Sequence, residues 1–310
     1  MQAAVSSATG LPVSNKSGCY PRVTLATTLL YDVAPQEPGA LRRTSRGMTR
    51  RLAIGLALAA VLLAAPAALA TPSGSLVVSG RGGQSAVLTV PAGGLVVTYP
   101  PFAEPRVPGP DGAVSGVVIQ RVHDLRPVGG VILQNAPGFD RAITIPLVDF
   151  EQTVLAAGRY RITLLGTGRQ SVHLAMRRTT KSRHLVARGS GGARTRVIAS
   201  TTPIAATWSE PLGRINASDY VIVGAGSAGE LQQASENDVC LRAAAVSDEP
   251  CLDGAGTTVT PGEGAAGTWS EFLYRPGSIA SGSYVFTGNA IGVGPSSTTG
   301  HSAVVISLRR

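Results

Sequence analysis

Cys240 and Cys251 are the residues whose type and spacing most directly define a reaction, the oxidation of two thiols to a disulfide. An even pair in an exported chain reads as a bridge. Zinc is poorly served, because the short Cys-x-x-Cys pairs it favours are missing. The four histidines are His123, His173, His184 and His301, and none has a partner at metal-ligand spacing. His173 is expected on the outer face of a strand, and His184 in a basic connecting segment. His123-Asp124 could pair a base with its orienter, but adjacent residues on a strand point to opposite faces. No catalytic, cofactor-binding or metal-binding residue is therefore assigned.

Asp219 to Glu230 reads DYVIVGAGSAGE. Gly224, Gly226 and Gly229 follow the apolar run Tyr220–Val223 as G-x-G-x-x-G. The stretch resembles the FAD-binding fingerprint of glucose-methanol-choline oxidoreductases. That resemblance implies a flavin whose pyrophosphate meets the backbone at these glycines, with Glu249 as the ribose-binding acid. The fingerprint also needs a helix whose N-terminus faces the phosphates. Here GELQQASENDVC follows, without an apolar stripe. The reading taken from the residues is a buried strand leaving through a glycine-rich loop. Ser227 within Ala-x-Ser-x-Gly suggests a hydrolase nucleophile elbow, which likewise needs a following helix.

The elements around these residues read as strands. Tyr160, Ile162 and Leu164 alternate with Arg161 and Thr163, and Val172, Leu174 and Met176 alternate with His173 and Ala175. Short apolar runs punctuated by Gly, Pro, Asp and Asn fill the rest, giving about eight strands in the first half. No window beyond residue 71 carries a helical apolar stripe. The second half repeats the first. SLVVSGRGGQSAVLTVPAG from Ser75 lies over TRVIASTTPIAATWSEPLG from Thr195, and AAGRYRIT from Ala156 over ASGSYVFT from Ala280. Tyr160 and Tyr284 are expected to enter the core with a hydroxyl bonded to nearby backbone, as in a tyrosine corner. Trp208 and Trp269 each sit in Thr-Trp-Ser-Glu and are expected in the core, with Thr and Glu on the other side. The fold class is all-β: two tandem β-sandwich or jelly-roll-like domains after a signal peptide.

Met48 to Ala70 supplies that signal. Arg50 and Arg51 precede the uncharged run Leu52–Leu63, and Ala68-Leu69-Ala70 offers cleavage before Thr71. The organisation reads as 1–47 a non-native or disordered extension, 48–70 a signal peptide, 71–176 a first sandwich, 177–196 a basic linker and 197–310 a second sandwich. The whole chain carries a net charge of +9, unevenly spread. Residues 177–196 hold seven Lys or Arg and no acid. This stretch could hold an anionic wall polymer, a lipid headgroup or nucleic acid, but reads first as a solvated linker or long hairpin. It lacks the interleaved aromatics that would stack on bases, so nucleic acid is not expected. The functional expectation is a secreted or cell-surface, non-catalytic binding or structural protein. Its partner would be a cell-wall polymer, a glycan or another surface protein, with membrane contact only through an uncleaved signal segment. A secreted hydrolase is the competing class, and a flavin-dependent oxidoreductase, resting on the glycine motif, the remoter one.

Overall fold

The computed structural model describes residues 72–103, 107–149, 151–229, 237–245, 251–252, 254–259, 267–292 and 294–309. The leader, the export segment, the Ala70–Thr71 junction, Cys19 and Glu249 lie outside the described residues.

Strands alone build the described chain, with turns and bends between them. The first half runs β1 (Ser73–Arg81), β2 (Ser85–Val90), β3 (Leu95–Thr98), β4 (Phe102–Ala103), β5 (Val114–Arg121), β6 (Pro127–Asn135), β7 (Ala142–Pro146), β8 (Gln152–Leu155), β9 (Gly158–Gly166), β10 (Arg169–Arg177) and β11 (Arg183–Val186). The second runs β12 (Ala193–Pro203), β13 (Ala205–Ile215), β14 (Tyr220–Ala228), β15 (Asn237–Ala243), β16 (Ala255–Val259), β17 (Gly267–Tyr274), β18 (Gly282–Ile291) and β19 (Thr298–Leu308).

These strands form four sheets. Sheet I has the order β11-β1-β10-β3-β8, sheet II β2-β9-β5-β6-β7-β4, sheet III β12-β19-β14-β17-β16 and sheet IV β13-β18-β15. Within sheet I, β1-β10-β3-β8 occupies the same order as β12-β19-β14-β17 in sheet III. Likewise β2-β9-β5 in sheet II matches β13-β18-β15 in sheet IV. The interleaving of early and late strands in each sheet is jelly-roll-like. Tyr160 and Tyr284 make the same bond in the two halves. Each buried hydroxyl donates to the carbonyl four residues back, Ala156 at 3.0 Å and Ala280 at 2.8 Å.

Three apolar cores separate the four sheets. Leu76, Val97 and Leu174 of sheet I meet Leu88, Val117 and Ile162 of sheet II. Trp208, Leu241 and Phe286 of sheet IV meet Val221, Val223 and Val305 of sheet III. The third core joins the halves: Val118, Ile132 and Leu165 of sheet II pack on Tyr220, Ile222 and Val304 of sheet III. Phe139 meets Trp269 edge-on there, with ring centroids 5.9 Å apart and planes at 89°. Polar ties cross the same seam. Gln134 Nε2 donates to Ser302 Oγ at 2.6 Å, Arg161 to the Arg309 carbonyl at 2.7 Å, and Arg275 pairs with Asp149 at 2.5 Å.

The basic stretch between the halves does more than connect them. Its residues Arg183–Val186 form β11, which pairs parallel with β1, and Ala193 opens β12. The backbone groups of β1's free edge are satisfied that way.

Cys240 and Cys251 are bridged, with Cα atoms 5.1 Å apart. The bridge pins β15 to the returning chain, where the Leu252 amide donates to the Leu241 carbonyl at 2.9 Å. It is compatible with an extracellular location. Closing so short a loop stabilises by about 2–3 kcal/mol in the chain-entropy view. Because the halves share a core, we expect reduction to lower the melting transition of the whole unit. Thermal unfolding with and without reductant measures this, and superimposable melts would show that the bridge constrains nothing.

Candidate functional site

The glycine-rich stretch is a strand, not a loop. β14 runs unbroken through Gly224 and Gly226, paired with β17 on one side and β19 on the other. None of Gly224, Gly226 and Gly229 has a left-handed backbone, so none forms the tight turn that a pyrophosphate would need. The glycines serve packing instead. A Cβ on Gly224 would stand 2.7 Å from the Trp269 indole nitrogen, and one on Gly226 2.2 Å from the Thr268 carbonyl oxygen. They clear a groove in sheet III into which the Trp269 ring lies, a common role for strand glycine.

Ser227 sits in this strand, 5% exposed, so it is not raised on an elbow. Register puts it diagonal to His301, since Ala225 opposes His301 and Ser227 opposes Thr299. No hydrogen bond joins the two. His301 Nε2 instead faces Glu210 at 3.5 Å, and its ring stacks on Trp208 at 4.5 Å and 10°. Burial lowers the His301 pKa, with Glu210 opposing the shift.

His123 and Asp124 also differ from expectation. They lie in the turn after β5, not on a strand, so they can touch, at 3.4 Å. His123 is exposed. Asp124 accepts from the Arg126 amide and pairs with Arg121 at 2.7 Å. The Arg126 bond leads the causes that lower its pKa. The pair closes a turn. His173 lies outward on β10 as expected, and His184 lies on β11, with Nε2 3.0 Å from Ser79 Oγ. Among the described residues, no group of three His, Cys, Asp or Glu is placed to hold a metal ion.

Both tryptophans are core, as expected, but each glutamate shares the tryptophan's face, because residues two apart on a strand point the same way. Glu210 lies toward sheet IV's rim, with a 35% exposed side chain. Glu271 is 3% exposed under sheet II, and its Oε2 has no hydrogen-bond partner. Burial pushes its carboxyl up to about 8.

The face that sequence reasoning missed is the outside of sheet I. Its five strands carry Arg81, Arg169, Arg177 and Arg183 with His173 and His184, and neither Asp nor Glu. Alternation sends Leu76, Val78, Val172 and Leu174 inward and Arg81, Arg169, His173 and Arg177 outward. Among the described residues, no other sheet packs on this outer side. At one end Arg81 stands directly opposite Arg169 in the β1–β10 ladder. Cross-strand partners are about 5 Å apart at Cβ, and like charges there repel. Both arginines are exposed, and among the described residues neither guanidinium has an ion pair or a side-chain hydrogen bond.

These two arginines border a pocket of about 400 Å³, walled on one side by Val186 and Ala187 at the end of β11. Ser79, Gln84 and Gln170 complete its polar lining, and no carboxylate contributes. Gln170 Oε1 accepts from Ser115 Oγ at 2.6 Å and from the Gly116 amide at 3.2 Å. That fixes the orientation of its side-chain amide and leaves Nε2, buried, with no acceptor. Charge in the basic stretch signalled this face; register, which sequence does not print, made the arginine pair.

No known family and no curated protein matches this chain. Among solved structures, it is similar over 77% of its length to 80% of a chain described as the infectious bursal disease virus VP2 subviral particle. Identity is 10% and the TM-score 0.14, too low to inform fold or function.

Proposed function

We propose that this is an exported, non-catalytic binding protein that uses the outer face of sheet I to hold an anionic polysaccharide. Its body would be two tandem copies of one domain, 71–176 and 197–310, released from its signal peptide between Ala70 and Thr71. The supporting observation is the acid-free outer face of sheet I, where arginine and histidine recur among Ser73, Ser75, Ser79 and Ser171. A flat face with one sign of charge attracts a flexible polyanion without needing a deep cleft. The face carries no aromatic side chain on β1, β10 or β11, which disfavours base stacking and neutral-sugar platforms. The matched strand orders and the paired Tyr160 and Tyr284 bonds support the duplication.

The test uses protein recovered from the medium. Intact mass should place its N-terminus at Thr71, and it should be retained on immobilised heparin, eluting earlier when Arg177 is replaced by Gln. No turnover is expected in a screen of ester, glycoside and peptide substrates. Retention no greater than that of a neutral protein would end the binding reading. Turnover would return the hydrolase reading, with Ser227, His301 and Glu210 as the first residues to replace.

A further inference from the structure

We infer that the pocket between Arg81 and Arg169 is a site for a single tetrahedral oxyanion, phosphate or sulfate. This rests on the binding reading above and adds where one anionic group is gripped. Register fixes the argument. The β1–β10 ladder holds nine cross-strand pairs, and its last sets Arg81 opposite Arg169, so two positive side chains leave neighbouring strands at one end of the sheet. Without a counterion, that arrangement repels itself. A shared anion converts the repulsion into two charge-assisted contacts, and planar guanidinium forks suit an oxyanion with several acceptor oxygens.

The surroundings agree with that chemistry. Every polar side chain lining the pocket can donate: Arg81, Arg169, Ser79, Gln84 and Gln170. Gln84 has its oxygen committed to the Arg81 amide at 2.8 Å, so its nitrogen is the end left over. Gln170, next to Arg169 on the strand, points the other way and is held inward by Ser115 and Gly116, so its buried amide backs the pocket and does not reach into it. The Gln84 nitrogen, the Ser79 hydroxyl and two unpaired guanidiniums make a set of donors with no carboxylate among them. A carboxylate ligand is planar and engages fewer donors at once than a tetrahedral ion, so phosphate or sulfate fits better. The anion could be free in solution or the substituent of a polymer; both present the same oxygens.

Inorganic phosphate and inorganic sulfate, titrated into the full chain, are the probes for the free ion; heparin, a sulfated polysaccharide, probes the polymer. Sodium chloride at matched ionic strength is the control. The wild-type melting temperature should rise with phosphate or sulfate and not with chloride. Calorimetry should give a saturable isotherm that weakens at least tenfold in Arg81→Gln and in Arg169→Gln, and stays unchanged in Arg214→Gln, an exposed arginine on β13 of sheet IV. Each pocket variant should also melt slightly above wild type in the absence of anion, because the repulsion is gone. Equal shifts with chloride, or saturable binding that survives both pocket variants, would overturn the site. If phosphate and sulfate fail while heparin retention persists, the site is wrong and the sheet I reading stands. If heparin retention also fails, the reading beneath it falls.

Discussion

Glu271→Gln should raise the melting temperature at pH 8 and above and change it little near pH 4.5. The carboxyl is 3% exposed between sheets II and III, and burial raises its pKa from 4.5 to about 8. At intermediate pH the folded protein keeps the group protonated while the unfolded chain ionises it. Folding then takes up a proton, so this group's contribution is fully present below pH 4.5 and is lost as pH rises toward 8. The loss accrues at up to about 1.4 kcal/mol per pH unit. Above that window the folded protein must bury a carboxylate, one of whose oxygens has no partner. Glutamine is neutral throughout and removes the slope. For a domain unit of this size each kcal/mol moves the melting temperature by about 2–4 °C. The measurement is a melting curve at half-unit pH steps for both proteins. Other titrating groups contribute equally to each, so the difference isolates Glu271. Parallel curves across the whole range would show that the carboxyl is not buried in the folded state.

Gly226→Ala should cost more than its chemistry suggests and should be rescued little by trimming tryptophan. The added Cβ would lie 2.9 Å from Cε3 of the Trp269 ring, but also 2.2 Å from the Thr268 carbonyl oxygen and 3.0 Å from the Trp269 Cα, the last two on the partner strand's backbone. Neither backbone atom can move without parting β14 from β17. Overpacking a core typically costs about 1–3 kcal/mol when side chains can yield, and here they cannot. Gly224→Ala differs in kind. Its Cβ meets the Trp269 ring at 2.7–2.8 Å, so the obstacle is a side chain. Trp269→Phe should therefore recover much of the loss in Gly224→Ala and little in Gly226→Ala, where the 2.2 Å backbone contact remains. A double-mutant cycle on urea midpoints reads the difference. Equal rescue at both positions would mean that the glycines are not spaced for the indole. A saturable flavin affinity lost in Gly226→Ala would be the outcome expected of the oxidoreductase fingerprint instead.

What the sequence showed depended on how many faces of a strand are covered. β10 alternates between exposed and buried, and its period of two is plain in Arg169 to Arg177. β14 is buried on both faces through Gly226, so YVIVGAG carries no alternation and looks like the parallel strand of a nucleotide fold. Thr-Trp-Ser-Glu occurs twice with opposite outcomes. Trp208 faces the core between sheets III and IV, whereas Trp269 faces the core between II and III. Glu210 consequently reaches solvent and Glu271 does not. No local signal separates them, because sheet II arrives from more than a hundred residues away. β11 was masked by its composition: Arg183-His184-Leu185-Val186 reads as charge before it reads as a strand. The Arg81–Arg169 pair depends on the register between β1 and β10, which a sequence does not display.

The seam between sheets II and III joins unlike surfaces, and that bears on growth. A contact between two different faces of similar units does not close on itself; repeated, it runs on into a filament. Sheet I of this chain occupies the place that sheet III fills in the seam, and sheet IV the place of sheet II. Another molecule could in principle stack there. Sheet I instead presents Arg81, Arg169 and Arg177 outward, and sheet IV presents Thr207, Ser209, Asp238, Arg242 and Asn289. Polar ends of this kind terminate repeat stacks. The same arginines that suit sheet I to an anionic ligand thus also cap the pile at four sheets.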